Sequence, residues 1–221
     1  MTVVLQTWRV ARPAEGVGTA AASHAPPTSQ SMSDQILSSA ATLFSVRGYH
    51  AVGIRELADS VGLSTSTLYH YYSTKQDILF AVINRFVSEF AHRLTAALRD
   101  TSVPPRQRLE QAVTDHVVLT VTRREELLVS GPVQNALDPE QRARITALRR
   151  GYRDAVVDVI REGVATGEFR VADPVLTATA LLDMLDGVRA WYRPQGALSL
   201  PDLAARYREF AMTLCHADDP R

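Results

Sequence analysis

The chain has 221 residues, enough for one or two domains with a sizeable core, and 46% of them are hydrophobic. Its 24 basic and 24 acidic residues cancel, which excludes a protein that grips nucleic acid by bulk positive charge and leaves room only for a local surface. No apolar run approaches the roughly 18 residues of a membrane span. The single cysteine, Cys215, cannot form an internal disulfide, so a cytoplasmic protein without membrane contact is expected.

Residues 1–31 include "RPAEGVGTAAASHAPPTSQS", rich in Ala, Gly, Ser and Pro without apolar periodicity, and read as a disordered extension. Met32, directly before the periodic part, offers an alternative translation start. From Ser33 onward the periodicity is helical throughout, which predicts an all-α fold of about nine helices. Ser33 or Asp34 is expected to cap the first, with Ile36, Leu37, Ala40, Leu43 and Phe44 inward and Gly48 as its stop. A short helix follows from Ile54 to about Val61, ending at Gly62, and another begins at Ser64, a good N-cap. The fourth runs from near Lys75 to about Arg99. Beyond "SVPPRQ", helices are expected over about 105–122, 124–136 (broken near Ser130 to Pro132), from Pro139 to Gly167, 173–192 and 199–216, with 217–221 as a tail. Cys215 falls in the apolar pattern of the last and reads as core filler.

Helix, tight turn at Gly62, helix is the helix-turn-helix pattern. Leu68 faces inward and Tyr72 packs inside, which leaves Thr65, Ser66, Thr67, Tyr69, His70 and Tyr71 on the remaining faces. Hydroxyls donate to phosphate oxygens, and threonine methyls and tyrosine rings suit the thymine methyl, so the surface fits a major groove. Lys75, the only lysine of the chain, adds a point charge at a helix N-terminus. The alternative is the solvated polar face of a small helical bundle, a scaffold that never meets DNA.

The stretch "AATLFSVRGYHAVGIRELADSVGLSTSTLYHYYSTKQDIL", Ala40 to Leu79, resembles the DNA-binding domain of the tetracycline-repressor (TetR) family. The likeness implies a homodimeric regulator, usually a repressor released from DNA by a small ligand. It implies a DNA-binding domain over 32–78 and a helical effector-binding and dimerisation domain over 79–216. By motif position Thr65, Thr67, Tyr69 and His70 would face bases or nearby backbone, and Tyr71 and Lys75 would hold phosphates. Arg55, Ser64 and Ser66 complete the candidate double-stranded DNA contacts. Gly53 stands where the family often has a hydroxyl residue, and Ser66 where it often has a smaller one. Between Ser33 and Ile78 three basic residues (Arg47, Arg55, Lys75) meet four acidic ones (Asp34, Glu56, Asp59, Asp77). One copy should therefore bind DNA poorly, and two copies about 34–36 Å apart should bind a palindrome.

In the last helix Leu203, Tyr207, Phe210 and Leu214 form a narrow seam, and Leu181 and Leu185 line the helix before it. Together they are expected to build the dimer interface. Tyr152 reads equally as core or as pocket wall. In "DMLDGVRAWYRPQGALS", Arg189, Trp191 and Arg193 suit an adenine ring and phosphates, or simply the end of a helix. This region is similar to a TetR subgroup that senses acyl-CoA thioesters of fatty-acid or steroid catabolism. That similarity makes these residues candidate CoA contacts; a hydrophobic drug controlling an efflux gene is the alternative. An enzyme is not expected: the six histidines lack metal spacing, no phosphate-binding glycine loop exists, and no cofactor is implied.

Overall fold

Helix is the only regular element among the residues that the computed structural model describes, 29–130 and 136–216. Nine helices follow in order: α1 (Ser29–Arg47), α2 (Ile54–Ser60), α3 (Thr65–Tyr71), α4 (Lys75–Leu98), α5 (Pro105–Thr122), α6 (Arg124–Ser130), α7 (Pro139–Thr166), α8 (Pro174–Trp191) and α9 (Leu200–Leu214). Their starts are set by side chains that satisfy the orphan amides of a first turn. Thr74 accepts from the Asp77 amide, Asp173 from Val175 and Leu176, and Ser199 from Asp202. Asp138 and Gln141 form a capping box ahead of α7, with Pro139 in its first turn. The turn between α2 and α3 needs a left-handed residue, supplied by Gly62 at φ +69°.

The start of α1 differs from the sequence expectation. The helix begins at Ser29, so Ser33 and Asp34 lie inside it and cap nothing. They hold neighbouring helices instead: Ser33 Oγ is 2.8 Å from Tyr72 Oη, and Arg85 donates to Asp34 Oδ1 at 2.9 Å. Of the extension expected to be disordered, residues 1–28 lie outside the described residues, as do 131–135 and the tail 217–221.

Two apolar cores form. The first gathers Ile36, Phe44, Leu57, Leu68 and Ile78 from α1 to α4, and extends to Leu127, Val129 and Ile145 of α6 and α7. The second lies among α4, α5, α7, α8 and α9. Phe90 and Leu148 pack against both. The most extensive helix pairing joins α4 to α7. Those two helices therefore tie the N-terminal unit to the rest of the fold. Among the described residues no helix is long and apolar enough to cross a membrane.

Candidate DNA-reading head and effector cavity

The second helix of the helix-turn-helix is positioned from below and left open above. Leu68 is fully buried and pins α3 to the core. Ser64 Oγ accepts from the Thr67 amide at 3.1 Å and lies 2.7 Å from Thr67 Oγ1 and 2.9 Å from Ser66 Oγ. This hydroxyl cluster fixes the first turn of α3. Tyr69 and Tyr71 are 46% and 37% exposed, and His70 is exposed beside them. Arg55 is exposed in the first turn of α2, above an N-cap, Gly53, that offers no side-chain bond. Tyrosine rings held out in water next to a rigid helix start form a surface that gains by meeting another polar macromolecule.

Lys75 is more committed than its sequence position suggests. Its ammonium donates to the carbonyls of Tyr49 and Val52, both at 2.8 Å, and sits 4.3 Å from the Tyr49 ring centroid. It thus clamps the loop between α1 and α2, and burial lowers its pKa. An ammonium has three protons, so one remains for a phosphate.

A cavity of about 560 Å³ opens among α4, α5, α6, α7 and α8, within the size range of small-molecule sites. Phe86, Val87, Phe90, Leu127 and Leu182 give it an apolar wall, and Arg149, Arg150, Arg153 and Arg189 a basic one. Between these walls lie His116, Tyr152 and Asp186. Tyr152 Oη is 3.0 Å from His116 Nδ1. The Phe90 ring stands edge-on to both, with centroids 4.9 and 5.8 Å away. Burial, helped by the negative charges of Asp186 and Asp115, pushes the Tyr152 phenol up and keeps it neutral. Burial also opposes ionisation of Asp186, although 51% of its side chain remains exposed at the cavity. His116, Arg189 and Arg149 outweigh that opposition and hold the carboxyl below its ordinary range. Arg149 donates to Ser130 O at 2.8 Å, which locks the end of α6 to the cavity wall.

Two family models match this chain: "Bacterial regulatory proteins, tetR family" over residues 36–82 and "Tetracyclin repressor-like, C-terminal domain" over 102–215. The chain belongs to the TetR family. It is a DNA-binding, ligand-responsive transcriptional regulator and not an enzyme. The HTH-type transcriptional repressor KstR2 of Mycolicibacterium smegmatis is 28% identical over 184 residues, covering 82% of this chain and 89% of that protein. The TetR-family regulator PfmR of Thermus thermophilus superposes with a TM-score of 0.75 at 27% identity, over 85% of this chain and 100% of the other. AibR, solved with isovaleryl coenzyme A and operator DNA, gives 0.74 at 26% identity with the same coverage.

Within this TetR fold the expected C-terminal sites are redistributed. Tyr152 is both core and pocket wall, and Arg189 lines the cavity. Trp191 and Arg193 do not line it. Arg193 donates to the carbonyls of Ala190 and Tyr192 and closes the end of α8, and Trp191 stacks edge-on against Tyr192. Arg193 thus places its positive charge at the negative end of the α8 dipole.

The expected dimer seam also splits. Leu181, Leu185, Leu203 and Tyr207 are buried inside the single chain, and only Phe210 (50% exposed) and Leu214 (39%) stay open. The buried stripe of α9 centres on Ala204, Ala211 and Cys215, small residues that let α5 pack close.

Sequence reasoning missed His116, Asp186, Arg149 and Phe90. The available signal was a lone histidine in the apolar run "DHVVLTV", which has no motif around it.

Proposed function

We propose that this regulator is a homodimeric repressor that leaves a palindromic operator when an acyl-CoA thioester enters the cavity. One observation carries the reading: the cavity joins an apolar chamber, sized for an acyl group, to a wall of four arginines suited to phosphates. AibR, a structural relative solved with isovaleryl coenzyme A, the ketosteroid transcriptional regulator KstR2 of Mycobacterium tuberculosis and the fatty acid metabolism regulator protein of Bacillus subtilis support an effector from lipid or steroid catabolism.

Release follows from the two long helices. α4 begins at the reading head with Lys75 and carries Phe86 and Phe90 into the cavity; α7, capped by Asp138, carries Arg149 and Tyr152 there. An effector between them favours one spacing of the pair and thereby one setting of the head. Thr65, Thr67, Tyr69 and His70 would read bases, with Arg55, Ser66, Tyr71 and the remaining proton of Lys75 on phosphates, and Ser64 acting as the cap. A coupling of about 1–3 kcal/mol is expected.

The test is binding to the intergenic DNA upstream of its own gene, with octanoyl-CoA, free CoA and octanoate added in turn. Specific binding relieved by the thioester alone is the expected result. Specific binding that no acyl-CoA of any chain length or steroid type disturbs overturns the effector assignment.

A further inference from the structure

His116 is the cavity group that the packing leaves unfinished. It is 2% exposed, and its Nε2 has no hydrogen-bond partner among the described residues. Asp186 Oδ1, at 3.5 Å, is near enough to attract charge and too far for a good hydrogen bond. Buried polar atoms are normally satisfied, and those that are not mark strain, an unseen partner or function.

The placement of the ring proton follows from the neighbours. The enclosed Tyr152 hydroxyl stands 3.0 Å from Nδ1 and can donate to it, which leaves Nε2 as the nitrogen that carries a proton. The Asp186 carboxylate favours the same tautomer, because a lone pair on Nε2 would face its negative charge. The ring is held in place by Phe90, edge-on at 4.9 Å. A rigid N–H donor therefore lies in the wall between the apolar chamber and Asp186, with only a long contact to that carboxylate and no well-formed hydrogen bond among the described residues.

We infer that the cavity recognises a carbonyl oxygen in the buried part of its effector, held by the Nε2–H of His116 and oriented through Tyr152. A carbonyl oxygen accepts without carrying charge, whereas a carboxylate would meet Asp186 at close range. The inference deepens the acyl-CoA reading, in which the oxygen is that of the thioester or of a keto group further along the chain. A ketone without CoA offers the same chemistry, so the two readings can fail separately.

The experiment measures affinities by calorimetry for matched compounds on the full chain. Octanoyl-CoA is compared with the thioether S-octyl-CoA and with 3-oxooctanoyl-CoA, and 4-phenyl-2-butanone with butylbenzene. In the unaltered protein the carbonyl member should bind about tenfold tighter, the value of one buried hydrogen bond. In His116→Phe the members should bind alike, and His116→Gln, which keeps a donor at similar reach, should recover part of the preference. Loss on passing to the thioether assigns the thioester oxygen; gain with the 3-oxo compound assigns a chain oxygen. If no CoA compound binds while the ketone pair discriminates, the acyl-CoA reading fails and this one stands. Absence of a carbonyl preference in both sets, including absence of binding, overturns it, as does a preference that survives His116→Phe. Should His116→Phe not fold, the ¹⁵N–¹H signal of Nε2 decides: it must move with 4-phenyl-2-butanone and stay with butylbenzene.

Discussion

The amide nitrogen of Gln76, in the first turn of α4, donates at 3.0 Å to Oε1 of Gln141, the residue that closes the capping box of α7. The two helices that run from the head to the cavity are thus latched at the head end. Asp138 still accepts from the Gln141 amide at 2.8 Å, so the cap itself does not depend on the Gln141 side chain.

Gln141→Ala should therefore cost less than about 1 kcal/mol of stability while weakening communication. Operator affinity without effector should stay within a few-fold, and its fall on adding effector should shrink. Paired titrations of operator DNA with and without effector measure both. An unchanged coupling would show that the latch transmits nothing.

Lys75 and Tyr71 should part company when each is altered. Lys75→Ala removes the clamp on the loop between α1 and α2, so it should lower the melting temperature as well as operator affinity. If the remaining proton holds a phosphate, the slope of log affinity against log salt falls by about 1. Tyr71→Phe, at an exposed position, should reduce affinity by about tenfold at most and leave the melting temperature alone.

Dimerisation is expected to use what α8 and α9 leave open. Phe210→Glu places a charge on an exposed apolar position without disturbing the packed face of α9. It should yield folded monomers in sedimentation and abolish operator binding, because one head lacks the charge to hold DNA alone. Tyr207→Ala, by contrast, should unfold the chain by opening a cavity in a single-protomer core, at about 3–5 kcal/mol.

Cys215 provides a pH prediction. Burial pushes its thiol up to about 11 from an ordinary 9.0. Because the folded value is raised, the unfolded chain releases this proton first. The contribution of Cys215 is thus complete below about pH 9 and declines as pH rises towards 11. The native thiol should resist iodoacetamide at pH 8 and react promptly in denaturant. Prompt reaction of the native protein would show that α9 opens easily.

The head was legible because its function sits in consecutive residues. Ser64 to Lys75 carries the cap, the buried Leu68 and the exposed Tyr69, His70 and Tyr71 in one run, and local spacing alone sorts inward from outward. Helix ends at Gly62, Asp138 and Gly167 were equally local, being set by a left-handed glycine or by a capping side chain within three residues of the break. The exception was α1, where Ser33 and Asp34 look like caps until the partners 39 and 51 residues away, Tyr72 and Arg85, are seen to claim them.

The cavity was not legible because its central polar groups are far apart in sequence, although Arg149, Arg150, Tyr152 and Arg153 of its wall are close together. His116, Tyr152 and Asp186 come from α5, α7 and α8, and only the packing of those helices brings a phenol within 3.0 Å of an imidazole and a carboxylate within 3.5 Å. The same holds for Lys75, whose carbonyl partners lie 26 and 23 residues back in the loop between α1 and α2, and for α9, where the facing helix decides which flank of an apolar stripe is buried. Periodicity and capping are properties of one segment and so are written in the sequence; a charge pair or a cavity belongs to several segments at once, and only the tertiary structure decides it.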